Sequence, residues 1–235
     1  MTTQPAIEDR AAARRQRLRK YTTWVEQLCG EDPGARSALR TGLRRGMDDV
    51  RRMHRFITPW LPENRHVGDD EQRAYYAVAA MIASQPRNSY SQTEAADDGT
   101  EPEPVAQADT EAASKKGPER YGDSLGRAFA TAVAQSPGRD KDMREATAEA
   151  RLNLLTRQSI DGLHRHLPSA VGYLRGLEVP IDWAQLLDDL TAWPTHSGRI
   201  ARRWLQDYYR LRAEAAREQA DQADQHEAEE PDPTE

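Results

Sequence analysis

Residues 181–212, IDWAQLLDDLTAWPTHSGRIARRWLQDYYRLR, decide the fold class of this chain. Apolar residues recur at every third or fourth position in residues 183–193 and again in residues 200–211, the spacing that gives a helix one apolar face. Pro194 lies between the two runs, and a proline in a helix interior removes a backbone hydrogen bond and clashes with the preceding turn. The stretch therefore predicts two helices with an abrupt break between them.

The second of these predicted helices also carries a basic stripe. At about 100° per residue, Arg199, Arg203 and Arg210 fall on one flank of its apolar face, and Arg202 lies beside them. An apolar stripe next to a basic stripe indicates two different neighbours, which are a protein core and a polyanion.

The composition of the whole chain favours the same fold class. The chain has 235 residues, of which 31% are charged and 37% are hydrophobic, so it is polar but still able to build a core. It contains only eight valines and six isoleucines, whereas Ala, Leu, Arg and Glu are abundant. Because strands favour β-branched residues and helices favour the second group, we predict an all-α fold of packed helices.

The charge is divided unevenly along the chain. Residues 91–114 carry a formal charge of −7 and residues 214–235 carry −8, and removing them from a chain of −6 leaves +9 on the other 189 residues. A basic body indicates an anionic partner, and nucleic acid is the commonest large one. A chain that is simply rich in arginine throughout would show the same excess, so charge alone leaves both interpretations open.

The same boundaries predict the domain organisation. We expect an N-terminal helical region at residues 1–90 and a C-terminal helical bundle at residues 118–213. The acidic insertion at 91–117 and the acidic tail at 214–235 show no apolar periodicity that would mark a buried face. Such segments cannot offset their ordering entropy by burial, so both are expected to be disordered.

A cationic stripe is predicted in the N-terminal region. Residues 33–46 are expected to form a helix, because Asp32 supplies an N-cap and the proline after it is favoured at the first helical position. Arg36, Arg40 and Arg44 follow one another at four-residue spacing, which places them along one side of that helix.

In the C-terminal region, a Ser-Pro-Gly turn precedes another predicted helix. Met143, Ala146, Ala150 and Leu154 recur at helical spacing there. We therefore expect these four residues on its buried face.

Signals of catalysis are thin. The sequence has no HExxH, G-x-S-x-G or glycine-rich phosphate loop, and Cys29 is its only cysteine. Asp188 and Asp189 point about 100° apart on a helix, so they are expected on a solvated face with an ion pair rather than around a metal. We predict a protein that is not an enzyme and has no cofactor, no metal and no small-molecule substrate.

The sequence also predicts where the protein resides. No apolar run approaches the roughly 20 residues that a membrane span needs. The first residues lack the apolar region of a signal peptide. We expect a soluble, cytoplasmic protein that contacts no membrane.

Arginines on amphipathic helices are the candidate binding residues. The planar guanidinium donates in a fork that suits phosphate oxygens. No helix-turn-helix or zinc-finger spacing is present, so contacts to backbone phosphates without sequence specificity are expected. The tryptophans within residues 181–212 follow the apolar spacing and are expected in the core. The candidate arginines are Arg40, Arg44, Arg51, Arg52, Arg151, Arg199, Arg202 and Arg203.

A series of short motifs in this chain resembles a known family. The motifs are DPGARSALR (32–40), PWLP (59–62), AYYAVAA (74–80), GDSLG (122–126), VPIDWAQLLDDL (179–190) and RRWLQDYY (202–209). Their order resembles CasB, the small subunit of the type I-E CRISPR surveillance complex Cascade. The likeness spans residues 24 to 209 and depends on the order of the motifs, since no single motif is diagnostic. The acidic segment 91–114 and the acidic tail depart from it.

The resemblance implies an all-α, non-enzymatic protein in antiviral defence. Its partners would be the other Cascade subunits, a second copy of itself, CRISPR RNA and target DNA, both single-stranded and in the R-loop that it stabilises. Arg202 and Arg203 lie within a matching motif, Arg40 ends another, and Arg44 follows just beyond it. The other four candidates depend on helical position and charge alone.

An alternative function remains open at this point. The chain would then be a helical scaffold whose basic faces make protein–protein contacts only, while its neighbours contact the nucleic acid. A metal-dependent hydrolase is a more distant alternative. It stays open because active sites can be assembled from residues far apart in sequence.

Overall fold

The computed structural model describes residues 4–62, 66–86, 122–134 and 142–229, and the regular structure in these ranges is entirely helical. The prediction of an all-α fold is therefore confirmed. The predicted insertion at 91–117 lies outside the described residues. The α-helices are α1 (Gln4–Glu31), α2 (Pro33–Arg40), α3 (Arg51–Ile57), α4 (Asp69–Ala83), α5 (Leu125–Val133), α6 (Glu145–Thr156), α7 (Ile160–Gly176) and α8 (Trp183–Glu229). Short 3₁₀ helices occupy Met47–Asp49 and Thr58–Trp60.

The chain forms two compact units. The first consists of Met1–Gly122 together with Trp183–Asp188, and the second consists of Asp123–Asp182 and Asp189–Glu235. The first turns of α8 thus belong to the first unit. The domain boundaries predicted from the sequence had placed these first turns in the C-terminal bundle at residues 118–213.

The core of the first unit is formed by α1, α2 and α4. Tyr21 and Val25 of α1 and Leu39 of α2 are fully buried, and nine of the fifteen residues of α4 are buried. The Tyr21 hydroxyl donates to the Tyr75 carbonyl at 2.9 Å. Burial raises the pKa of Tyr21 well above its usual value, because the phenolate would lose its hydration there.

Helix α2 begins where the sequence predicts and ends earlier. Asp32 Oδ1 accepts from Gly34 N at 2.7 Å, so the N-cap is confirmed. The helix stops at Arg40, and Arg44 adopts a left-handed backbone with a φ of 61°. The predicted helix to residue 46, and with it the continuous stripe of arginines, is therefore wrong. Thr41 Oγ1 donates to the Ala38 carbonyl at 2.7 Å, an interaction that competes with helix continuation.

In the second unit, α6 buries a different face from the one predicted. Ala148, Leu152 and Leu155 are buried, whereas Ala146, Ala150 and Leu154 are exposed. Met143 is buried, but it precedes the helix, and its N–H donates to the Ala132 carbonyl at 2.8 Å. Met143 lies outside the helix, so helical spacing counted from it does not identify the buried side. The buried face predicted for this helix is therefore wrong.

Helix α8 contains the predicted break. His196, two residues after Pro194, has non-helical dihedrals with φ −133° and ψ 23°. The rings of Trp193 and Trp204 lie 5.1 Å apart, although eleven residues of straight helix would separate them by about 16 Å. The chain therefore bends sharply at His196 and folds the two segments against each other. The predicted burial of the tryptophans in residues 181–212 is confirmed.

Beyond Arg212 the structure differs from the prediction of an irregular tail. Helix α8 continues through Glu229, so disorder is the wrong prediction for residues 214–229, while residues 230–235 lie outside the described ranges. The segment is rich in Ala, Glu and Gln, which are strong helix formers and allow a helix without a buried face.

Candidate nucleic-acid interface

The structure places the eight candidate arginines at the surfaces of both units. Six are exposed and two are half-buried. The exposed ones are Arg40, Arg44, Arg51, Arg52, Arg199 and Arg202, and the half-buried ones are Arg151 and Arg203.

In the first unit, three of the exposed arginines lie at helix ends. Arg40 is the last residue of α2, where a cation interacts favourably with the helix dipole. Arg51 and Arg52 are the first two residues of α3, where a cation opposes the dipole. None of the three forms an ion pair with another residue of the described ranges. Arg51 and Arg52 therefore do nothing for the stability of their own helix, and their charge is available to a partner.

Arg151 and Arg203 of the second unit are held by neighbours. The guanidinium of Arg151 lies 4.6 Å from the centre of the Tyr173 ring, a cation–π contact. Arg203 Nη2 donates to Asp189 Oδ1, and the Arg203 side chain is 21% exposed. The charge of Arg203 is thus directed into its own unit.

The two adjacent acids of α8 have different surroundings. Asp189 is 2% exposed, and its Oδ2 accepts from Trp204 Nε1 at 2.6 Å. Asp188 pairs with Arg14 at 2.7 Å in the first unit, and both side chains are partly exposed. The prediction of a solvated ion pair therefore describes Asp188, but it is wrong for Asp189. This residue is a buried anchor because the bend at His196 brings Trp204 onto it.

A basic groove lies between the end of α6 and the segment of α8 after His196. Its volume is about 700 Å³. Three of its ten lining residues are arginines, and none is a carboxylate. The lining residues of this α6–α8 groove are Asn153, Thr156, Arg157, Gly198, Ala201, Arg202, Leu205, Gln206, Tyr209 and Arg210.

Sequence reasoning missed most of this groove. Arg202 was a candidate, whereas Arg157 follows the last residue of α6 and carried no helical pattern of its own. Arg157 reaches Arg202 and Arg210 only through the packing of two helices that are distant in sequence. One sequence signal could have identified this surface. Arg202, Gln206 and Arg210 follow one another at four-residue spacing, which places three exposed polar side chains on one face of the helix.

Tyr209 is the exposed aromatic residue of the groove. It is 47% exposed, and its hydroxyl donates to Glu149 Oε1 at 2.5 Å. That hydrogen bond raises the pKa of Tyr209, because a phenolate could not donate to the carboxylate. The ring of Tyr208 meets it edge-on, with the centres 5.1 Å apart. The Tyr209 ring is therefore held in one orientation.

Two further kinds of site are absent from the ranges that the structure describes. No group of three or more His, Cys, Asp or Glu residues is placed there to hold a metal ion. No helix in the same ranges combines the length and apolar character that crossing a membrane requires.

A comparison with protein families decides the relationship. The family model described as CRISPR-associated protein Cse2 matches residues 35–209. The chain belongs to the Cse2 family. The matched range includes all eight candidate arginines and ends one residue before Arg210.

Relatives of known sequence or structure agree with this assignment. The CRISPR-associated protein Cse2 of Thermus thermophilus is 25% identical over 195 residues, covering 81% of this chain and 88% of the relative. A chain of a solved CRISPR RNA-guided surveillance complex in a pre-nicking state is 34% identical, with a TM-score of 0.69. That match covers 87% of this chain and 98% of the solved chain. The resemblance to the CasB small subunit is thereby confirmed.

A more distant structure shows that the fold persists at lower identity. CasB of M. ruber is 21% identical to this Cse2 chain, with a TM-score of 0.58. The match covers 84% of this chain and 95% of the other.

Proposed function

We propose that this Cse2-family protein is a non-catalytic subunit of a CRISPR RNA-guided surveillance complex in antiviral defence. The observation that carries the proposal is the 34% identity to a chain of such a complex, over 98% of that chain. The proposal places the protein in the cytoplasm beside the other subunits of the complex, with a second copy of itself. It acts there without a cofactor or a small-molecule substrate.

Within the complex, the protein binds CRISPR RNA and target DNA through phosphate contacts and stabilises the R-loop. Exposed arginines on both units support this part of the proposal. Arg51 and Arg52 are the clearest candidates in the first unit, because their own helix gains nothing from them. Arg199 and Arg202 are the clearest in the second, since neither pairs with a described carboxylate.

The remaining candidates contribute less directly. Arg40 and Arg44 add positive charge to the surface of the first unit, and Arg151 presents a guanidinium restrained by Tyr173. Arg203 neutralises Asp189, so we assign its main role to the second unit's own stability.

Salt-dependent binding tests the phosphate contacts. Wild type, Arg51→Glu/Arg52→Glu and Arg199→Glu/Arg202→Glu would be titrated with a fluorescent single-stranded oligonucleotide at several salt concentrations. Each lost phosphate contact lowers the slope of log affinity against log salt by about 0.7, so each double variant is expected to lose about 1.4. Arg19→Glu/Lys20→Glu is the matched control, because it reverses two adjacent exposed cations on α1 that the proposal does not use.

The outcomes separate the proposal from a purely structural scaffold. Unchanged affinity and slope in both double variants would reject these contacts. A scaffold would co-purify with its partner subunits after nuclease treatment, and the isolated chain would show no salt-sensitive binding. The mass of the purified complex reports whether two copies are present.

A further inference from the structure

The α6–α8 groove combines two chemical features that phosphate contacts alone do not require. Arg157, Arg202 and Arg210 supply positive charge, and the ten lining residues include no carboxylate. Ala201 and Leu205 provide apolar surface between the arginines. A site that combines cations with apolar surface suits a ligand that has both an anionic part and a planar apolar part.

Tyr209 supplies a fixed aromatic surface in the same groove. Its hydrogen bond to Glu149 and its edge-on contact with Tyr208 restrain the ring. Tyr208 itself is 1% exposed, so the support is part of the core. An aromatic ring held at the surface beside arginines is the arrangement on which proteins stack the bases of single strands.

We propose that the α6–α8 groove receives one unpaired nucleotide of a single strand, with its base against Tyr209 and its flanking phosphates on Arg157, Arg202 and Arg210. The volume of about 700 Å³ is within the range of sites that enclose small ligands. A base-paired duplex does not fit this role, because its bases are stacked inside the helix. An acidic peptide would use the arginines but would leave the Tyr209 ring without a partner.

This inference rests on the proposed function, because it assumes that the chain contacts nucleic acid. It adds a prediction that phosphate binding does not make: part of the affinity depends on the base. Proteins that bind single strands gain enough from stacking one base to raise the affinity about tenfold or more.

Gly198 allows the groove to be filled without changing any charge. A Cβ at Gly198 would meet no atom within 4 Å, and the residue lines the groove. Gly172 is a matched control, because it is an exposed helical glycine with the same open space and does not line the groove. Gly198→Leu should occupy the space of the base, whereas Gly172→Leu should not.

The experiment uses the full-length chain and two fluorescent probes of equal length, an oligothymidylate and an abasic phosphodiester. We expect wild type and Gly172→Leu to bind the oligothymidylate about tenfold more tightly than the abasic probe. We expect Gly198→Leu to bind both probes with the affinity that wild type shows for the abasic one. Tyr209→Phe should retain the preference for the base, and Tyr209→Leu should lose it.

Each other outcome has a defined meaning. Equal binding of the two probes by wild type would overturn the nucleotide site and leave the phosphate-binding proposal intact. Equal weakening by both glycine variants would also overturn it. Failure to bind either probe would instead reject the direct nucleic-acid binding that is part of the proposed function. Tight binding of a polyglutamate peptide that is lost in Gly198→Leu would assign the groove to an acidic protein segment and overturn the nucleotide site.

Discussion

Trp204 Nε1 donates to Asp189 Oδ2 at 2.6 Å, although the two residues lie fifteen positions apart within α8. In a straight helix they would be about 22 Å apart. The contact therefore exists only because the helix bends at His196, and Asp189 connects the two segments by accepting from both Trp204 and Arg203. A buried carboxylate thus stabilises the bend that residues 181–212 predict.

Removing this carboxylate should destabilise the protein strongly. We expect Asp189→Ala to lower the free energy of unfolding by about 3 kcal/mol, because it removes the buried carboxylate that pairs with Arg203 and leaves the Trp204 N–H without its acceptor. Asp188→Ala removes the neighbouring, partly exposed pair with Arg14 and should cost less than about 1 kcal/mol. Urea denaturation followed by tryptophan fluorescence measures both, and equal losses would contradict the anchoring role of Asp189.

A second contact of Trp204 disfavours any side chain at Gly126. A Cβ at Gly126 would overlap the backbone carbonyl of Trp204, which cannot move aside as a side chain could. We expect Gly126→Ala to lower the free energy of unfolding by about 1–3 kcal/mol. Gly198→Ala, where the space is open, should raise it by up to about 1 kcal/mol, because alanine favours the helix. Thermal denaturation of the two variants should give midpoints on opposite sides of wild type.

Stability should fall at high pH through Tyr208. Burial raises the pKa of Tyr208 from about 10 to about 12, so the folded state holds its proton more tightly than the unfolded state does. Its contribution is therefore fully present below pH 10 and is lost as the pH rises towards 12. Denaturation at pH 9 and pH 11 should show a smaller loss for Tyr208→Phe than for wild type.

The exposed Tyr173→Phe serves as the control for this pH effect. It should reproduce the wild-type loss. Burial also raises the pKa of Tyr21, so Tyr208→Phe should keep part of the slope. An identical slope in Tyr208→Phe and wild type would show that Tyr208 does not titrate differently in the two states.

The residues of α8 beyond Arg212 should not contribute to the stability of the fold. Beyond Arg212, every residue whose side chain is described is exposed except Ala215. Truncation after Arg212 should therefore reduce the helical circular dichroism signal while leaving the denaturation midpoint within error of wild type. A lower midpoint would mean that the terminal segment stabilises the fold. A full-length chain with no extra helical signal would contradict helix beyond residue 212.

What the sequence predicted correctly is mostly local. The start of α2 follows from Asp32 and the proline beside it, and the break in α8 follows from Pro194, since each depends on the backbone of a few neighbouring residues. The end of α2 could not be read in the same way. The Thr41 side chain is a local signal there, but a Cβ at Gly42 would also overlap Met53 of α3, a packing contact that the sequence does not encode locally.

The candidate interface also contains features that neighbouring residues determine and features that only packing determines. The pattern placed Arg199 and Arg202 on an exposed face, which the structure confirms. It placed Arg203 on the flank of that face as well, but the bend turns Arg203 towards Asp189. The partnership of Arg157 with Arg202 and Arg210 needs the packing of α6 against α8, so no periodicity within a single helix could have shown it.

The first unit combines two segments that are far apart in the sequence, and this separation determines when the unit can fold during translation. This unit includes Trp183–Asp188, where Gln185 accepts from the Gly122 N–H at 2.6 Å and Asp188 pairs with Arg14. A ribosome has therefore translated all of Asp123–Asp182 before the last segment of the first unit can emerge. Until then the first unit of the nascent chain lacks Trp183–Asp188. A fragment that stops at residue 122 would lack these residues permanently.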